Sequence, residues 1–145
     1  MSAMPRGIRN NNPGNIRLSG VKWVGQAFGA DPDFVTFDKP ENGIRAIAKT
    51  LYSYWLDDGI HTIRGAIYRW APATENNSAA YAADVAKQVG LGPDEFTGLN
   101  PILHDLVVAI IAHENANYAY DAGVIEQGLS LAGFETNEPQ GTAAA

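Results

Sequence analysis

Cysteine is absent from the 145-residue sequence. The chain can therefore form no disulfide framework, no thiolate metal site and no cysteine nucleophile. The three histidines lack a metal-binding spacing such as His-Glu-x-x-His, and no Gly-x-Ser-x-Gly elbow or phosphate-binding glycine loop occurs. We expect neither a metal nor a cofactor.

Long apolar runs are also missing. The longest, Leu106–Ala112, is far too short to cross a bilayer, and Met1–Arg9 lacks the apolar stretch of a signal peptide. We expect no signal peptide and no membrane partner, so a virion, a holin or a contractile injection device would have to deliver the protein beyond the cytoplasm. The formal charge of -6 argues against general nucleic-acid binding, which needs a basic face.

The composition is that of an ordinary globular domain, with 46% hydrophobic and 18% charged residues. The length suits one domain with its own core, and no internal repeat or interdomain linker is visible. We expect a monomer with one domain over residues 1–134. The polar, then alanine-rich residues 135–145 predict a disordered tail.

The first part of the chain predicts loops and short strands. Gly7–Arg17 is rich in turn formers and predicts an ordered loop. Apolar residues on either side of Ser19-Gly20 predict a short hairpin, and Phe34–Phe37 predicts a third strand.

The rest of the chain predicts helices. Asp38 followed by Glu41 has the pattern of a capping box, ahead of apolar residues at helical spacing. Further helices are predicted from Thr62 towards Trp70, from Asn77 or Ser78 to Gly90, from Asn100-Pro101 to about Asn115, and over Val124–Ala132.

One glutamate stands out from its surroundings. Leu103, Val107 and Ile110 share a face of the helix over residues 102–115, and Glu114 falls in the middle of that apolar stripe. Poor solvation and the negative end of the helix dipole both favour the protonated acid, which is what a glycosidase general acid requires. The alternative is that Glu114 turns into water or pairs with an arginine.

Several other polar and aromatic residues can be interpreted in two ways, as functional or as structural. Glu41 has a structural task in the predicted capping box. Glu75 lies in a polar and aromatic loop typical of a sugar-binding cleft, but that loop also suits the surface. The asparagines of residues 10–15 could serve binding or simply build a turn. Trp23, Trp55 and Trp70 could stack on sugar rings or be buried, and for Trp55 we favour the core.

Three segments together resemble a known family. They are Asn-Asn-Pro-Gly-Asn-Ile-Arg (11–17) with Trp-Val-Gly (23–25), the aromatic strand running into a helix (34–46), and Trp-Ala-Pro-Ala-Thr (70–74) with Tyr-Ala (81–82). In this order they resemble the glucosaminidase-type peptidoglycan hydrolases of the lysozyme-like superfamily, as found in flagellar assembly hydrolases. The family loop has no proline where this chain has Pro13.

The position of the catalytic glutamate differs from that family. Its glutamate lies on a helix before the Asn-Asn loop, where this chain has only a few residues. The apolar run 106–115, which ends in Glu114-Asn115, resembles the missing helix. The chain is therefore similar to a circularly permuted version of the domain, and also to phage proteins described as virion structural proteins or transglycosylases.

The resemblance implies an α+β, mainly α, lysozyme-like fold of two lobes, with a hairpin lobe over Ile16–Phe37 and a cleft beside the helical lobe. It implies a phage endolysin or virion-associated lysin that cuts peptidoglycan glycan strands, by hydrolysis or lytic transglycosylation. The protein would be virion-associated, or pass from the host cytoplasm to the periplasm. Glu114 would be catalytic, and the implied substrate-binding residues are Asn11, Asn12, Asn15, Trp70, Thr74, Glu75 and Tyr81.

Two alternatives belong to other classes. A virion structural or wall-binding module could keep the fold without the chemistry, and the departure at Pro13 is compatible with that. A flagellar or injectisome assembly factor is the third possibility.

Overall fold

A computed structural model describes residues 4–72 and 76–134 of the chain. The described elements, in chain order, are α1 (Arg6–Arg9), β1 (Gln26–Ala27), β2 (Thr36–Phe37), α2 (Pro40–Leu56), α3 (Ile63–Trp70), α4 (Ser78–Val89), α5 (Leu103–Glu114) and α6 (Ala122–Leu131). The fold is mainly helical with a small antiparallel sheet, in agreement with the α+β class. None of the helices in the described ranges is long and apolar enough to cross a membrane.

The core is built by helices whose apolar residues recur at helical spacing. Ile44, Ile47 and Leu51 of α2 are completely buried, as the sequence pattern predicts. Helix α5 is buried on several faces, since Leu106, Val107, Ala109 and Ile110 are all inaccessible. In α6, Gly128 lies directly against Ile44, which lets α6 and α2 pack closely.

The ends of α3 and α4 confirm the predicted caps. The Thr62 hydroxyl accepts a hydrogen bond from the Gly65 N–H at 3.0 Å, and Asn77 Oδ1 accepts one from the Ala80 N–H at 3.1 Å. Gly90 ends α4 with φ 87°, in the left-handed region that favours glycine.

The predicted starts of α2 and α5 are wrong. Lys39 precedes the first helical residue of α2, Pro40, and no side chain caps this end. Asp38 Oδ1 instead accepts from Asn42 Nδ2 at 2.8 Å, so Glu41 has no part in a capping box. Proline is well suited to the first helical position, which moves the start beyond Asp38.

Helix α5 starts after the predicted Asn100-Pro101 pair. The Ile102 N–H donates to the Leu99 carbonyl at 3.0 Å, so Asn100 and Pro101 belong to a turn. The helix then runs from Leu103 to Glu114, and its predicted C-terminal end is correct to within a residue.

The predicted hairpin through Ser19-Gly20 is also wrong. Ile16–Leu18 pairs with the segment around Phe34, through the Val35 N–H to the Ile16 carbonyl and the Leu18 N–H to the Asp33 carbonyl. Strand β1 pairs with β2, which is the second half of the predicted third strand. We call residues 16–37 the β region. Its Val35 and Phe37 form a small apolar cluster with Ala46 of α2.

The short helix α1 overlaps the start of residues 7–17, which the sequence predicts as loop, and ends before the asparagines. Thr74, Glu75 and the predicted tail 135–145 lie outside the described residues.

Candidate functional site

A cleft separates the β region from the helices. Its volume is about 560 Å³, within the range of ligand-binding sites. The described residues that line it are Gly14, Asn15, Ile16, Arg17, Trp23, Phe34, Thr50, Tyr54, Trp70, Ala71, Pro72, Asn76 and Glu114. Glu114 is the only carboxylic acid among these described lining residues.

The Glu114 side chain is held at both of its oxygens. Oε1 accepts a hydrogen bond from Asn15 Nδ2 at 2.9 Å, and Oε2 accepts one from the Tyr81 hydroxyl at 2.8 Å. Asn15 is 99 positions away in the chain. The structure thus brings the end of α5 to the asparagine loop, although the sequence places them at opposite ends.

Tyr81 supports Glu114 from behind. It lies on α4 and only 2% of its surface is exposed. Burial, together with the negative charge of Glu114, raises the pKa of its hydroxyl far above the usual range, so the hydroxyl keeps its proton and remains a donor. The sequence predicts that Tyr81 contacts the substrate; in the structure it is buried behind the carboxylate and is not among the described residues that line the cleft.

The Tyr81 ring is fixed in turn by α5. It stacks on the His113 imidazole, with ring centroids 3.7 Å apart and planes inclined by 21°. His113 Nδ1 lies 3.3 Å from the carboxylate of Asp84 on α4. This stack ties α4 to the turn of α5 that carries Glu114.

Of the three predicted asparagines, two have structural tasks. Asn12 is completely buried; Nδ2 donates to the carbonyls of Ile16 and Val35, and Oδ1 accepts from the Ile16 N–H. Asn11 donates to the Phe37 carbonyl at 3.1 Å. Both side chains hold the loop against the β region, and neither is among the described residues that line the cleft.

Asn15, in contrast, lines the cleft. Its φ is 50° and that of Asn11 is 52°, and asparagine tolerates this left-handed backbone better than most residues. The loop therefore combines the two interpretations of the sequence: its turn geometry positions one asparagine beside Glu114.

Asn115 is a site residue that the sequence analysis missed. It is 1% exposed, and Nδ2 donates to the Pro13 carbonyl at 2.8 Å and to the Ile111 carbonyl at 2.9 Å. It fastens the asparagine loop to the end of α5. The only feature of the sequence that could have indicated Asn115 is its position directly after Glu114.

Among the tryptophans, Trp70 lines the cleft at the end of α3 and packs against Gly14, where an added Cβ would come 2.8 Å from the indole. Trp23 also lines the cleft. Trp55 is in the core, as predicted, and its Nε1 donates to the Thr97 carbonyl at 2.8 Å.

Helix α2 contributes two residues that the sequence analysis also missed. Thr50 and Tyr54 lie four positions apart and share the face of α2 that borders the cleft. Burial raises the pKa of the Tyr54 hydroxyl to about 12, so it is a hydrogen-bond donor at neutral pH.

The chemistry available at the site is that of a carboxyl group in a polar and aromatic cleft. Asn15, Thr50 and Asn76 can hydrogen-bond a polar ligand, while the Trp23, Phe34 and Trp70 rings can pack on its apolar faces. In residues 4–72 and 76–134, no three His, Asp or Glu side chains are grouped so that they could hold a metal ion.

Comparisons with known proteins place the chain among phage proteins. No protein-family model matches it. It is 38% identical over 129 residues to a protein called Protein P5 of Pseudoalteromonas phage PM2, an alignment that covers 86% of this chain and 79% of the relative. The chain therefore belongs to the same family as Protein P5 of this bacteriophage.

Proposed function

We propose that the protein is a lysozyme-like enzyme that cleaves the glycan strands of bacterial peptidoglycan, with Glu114 as its acid and base. The observation that carries this proposal is the Glu114 carboxyl group in the cleft wall, held by Asn15 and Tyr81. Fixing both oxygens keeps the acid in one orientation, as general acid catalysis requires.

The arrangement of the chain supports a circularly permuted lysozyme-like fold. The residues that resemble the family's loop, 11–17, lie beside the helix that resembles its catalytic helix. In this proposal the β region is the small lobe and the helices are the large one. The glycan strand would then occupy the cleft between them.

In the proposed reaction, protonated Glu114 donates its proton to the glycosidic oxygen as the bond from that oxygen to the anomeric carbon breaks. The electron pair of that bond leaves with the departing sugar. The Glu114 carboxylate then takes a proton from the group that attacks the anomeric carbon. If that group is water the reaction is hydrolysis, and if it is the sugar's own 6-hydroxyl the product is an anhydro sugar.

No second carboxylate is needed for this chemistry. The N-acetyl group of the substrate, or its hydroxyl, can attack the positively charged anomeric carbon in place of an enzyme nucleophile. Asn15, Trp70 and Asn76 are placed to contact the sugar next to Glu114. We propose no role for Thr74 or Glu75 beyond the resemblance.

The relative comes from a bacteriophage, and a phage has to open the cell wall when it enters or leaves its host. We therefore propose that the protein is a virion-associated lysin or an endolysin and that peptidoglycan is its partner.

Zymography on purified peptidoglycan, followed by mass spectrometry of the released muropeptides, tests the proposal. We expect clearing of the gel and products with either a new reducing end or an anhydromuramic acid end. Intact strands after long incubation with folded protein would contradict the proposal. If such protein still sediments with peptidoglycan, the chain is a wall-binding module.

Tyr81→Phe removes one hydrogen bond to Glu114 while the ring can still stack on His113. We expect kcat on peptidoglycan fragments to fall about tenfold with little change in KM, because the hydrogen bond that orients the carboxyl group is worth roughly 1 kcal/mol, which is close to this factor. Tyr68→Phe, at an exposed position of α3, is the matched control. Equal kcat values for the two variants would show that Tyr81 does not position the acid.

A further inference from the structure

We propose that a second cavity, next to the cleft, binds the anionic peptide stems that peptidoglycan carries on its muramic acid residues. This inference rests on the proposed function and specifies its substrate as peptide-substituted strands. The second cavity has a volume of about 430 Å³ and lies within the β region.

The two cavities are neighbours because they share a wall. Trp23 and Phe34 line both of them. A branch of a strand bound in the cleft could therefore reach past these rings into the second cavity. In peptidoglycan such a branch is the peptide stem, which leaves the sugar through its lactyl group.

Basic residues without acidic neighbours are concentrated at the start of the chain. Residues 1–30 contain Arg6, Arg9, Arg17 and Lys22 but no aspartate or glutamate, although the whole chain has a net charge of -6. The β region begins within this acid-free segment. The basic residue of the second cavity, Lys22, comes from this segment, in a protein whose overall charge is negative.

Among the described residues that line the second cavity, two have ionisable side chains, Lys22 and Asp31. The Asp31 carboxylate already binds the Arg6 guanidinium at 2.6 and 2.7 Å and Asn10 Nδ2 at 2.9 Å. The Arg6 guanidinium holds the pKa of this carboxyl well below its usual range, so its charge is matched locally. Lys22 is exposed, and no ion pair of its ammonium group occurs in the described part of the chain.

The other walls suit the methyl and methylene groups of a short peptide. The Phe28 side chain is fully exposed at 102%, an unusual position for a phenylalanine without a partner. Trp23 Nε1 is buried and has no hydrogen-bond acceptor among the described residues, so a ligand carbonyl or carboxylate could accept from it. A cation, an unpaired donor and aromatic surfaces together match a peptide that ends in carboxylates.

The test compares two probes, a disaccharide with its peptide stem and the same disaccharide after an amidase has removed the stem. Binding is measured by calorimetry with the full chain carrying Glu114→Gln, so that cleavage is slow compared with the titration. We expect the stem-bearing probe to bind more tightly. Adding Lys22→Gln or Phe28→Ser should weaken its binding about tenfold and reduce the preference between the probes, the effect of losing a charged or well-packed contact.

Lys87→Gln on α4 and Phe96→Ser provide matched controls, since both side chains are exposed and lie outside the two cavities. Equal affinity of the two probes, or equal effects of the Lys22 and Lys87 variants, would overturn the inference. The outcome is independent of zymography: wild-type protein that cleaves strands but shows no preference for stems refutes the inference alone. Protein that binds stems through Lys22 but cleaves nothing refutes the proposed enzyme alone.

Discussion

Glu114→Gln should lower the rate of peptidoglycan cleavage by about 10²–10⁴-fold, because the amide fills the same space but cannot donate a proton to the glycosidic oxygen. The fold should survive the change. The Tyr81 hydroxyl can still donate a hydrogen bond to the amide oxygen. The amide NH₂ then faces Asn15 Nδ2, so the hydrogen bond from Asn15 is the only one of the two that is lost. The measurements are muropeptide release over time and a thermal melt of each variant.

Glu41→Gln is the control for this prediction. Glu41 lies in the first turn of α2, is not part of the cleft wall, and can contribute only a weak interaction with the helix dipole. We expect unchanged activity and a stability loss below about 1 kcal/mol. A folded Glu41→Gln protein without activity would identify Glu41 as the essential acid, and an active Glu114→Gln protein would remove Glu114 from the mechanism.

The helices could be predicted from sequence because their signals are local. Ile44, Ile47 and Leu51 recur at the spacing that buries one face, and Thr62 and Asn77 cap the next helices through residues three positions away. The same local rules gave the end of α5. They failed at its start, where the turn closed by Leu99 and Ile102 competes with the Asn-Pro pair.

The strands could not be predicted in the same way. Their pairing depends on Asn12, whose buried side chain donates to the Ile16 carbonyl and to the Val35 carbonyl, which is 23 positions from Asn12 in the sequence. A period-two pattern contains no information about such a contact. The turn residues Ser19-Gly20 suggested a closer partner than the one that the structure shows.

The candidate site also has features that the sequence predicts and features that it does not. The apolar stripe around Glu114 singled out the acid from sequence alone, and the family resemblance suggested Asn15 and Tyr81. Their distinct tasks follow from burial: Asn15 borders the cleft, whereas Tyr81 lies behind the acid. Burial of a single side chain in a loop depends on the whole fold, so the sequence could not separate the two.

Gly43→Ala should destabilise the protein by about 1–3 kcal/mol, the usual cost of forcing extra volume into a packed site. Gly43 is in the first part of α2, where glycine normally costs stability relative to alanine. Here a Cβ would overlap the backbone carbonyl oxygen of Asn11 and lie 2.8 Å from Pro13 Cδ. The asparagine loop is held by buried hydrogen bonds of Asn12 and Asn115, so it cannot retreat cheaply.

The matched control for this prediction is Gly123→Ala in the first turn of α6. No atom lies within 4 Å of a Cβ added there, so we expect a gain of up to about 1 kcal/mol from the better helix propensity of alanine. Urea unfolding of both variants measures the difference.

Displacing the asparagine loop should also weaken the hydrogen bond from Asn15 to Glu114, so Gly43→Ala should lose activity under conditions where it is still folded. Two variants of equal stability would mean that the loop does not rest on α2 as closely as the structure shows, and the orientation of Glu114 would then need another support.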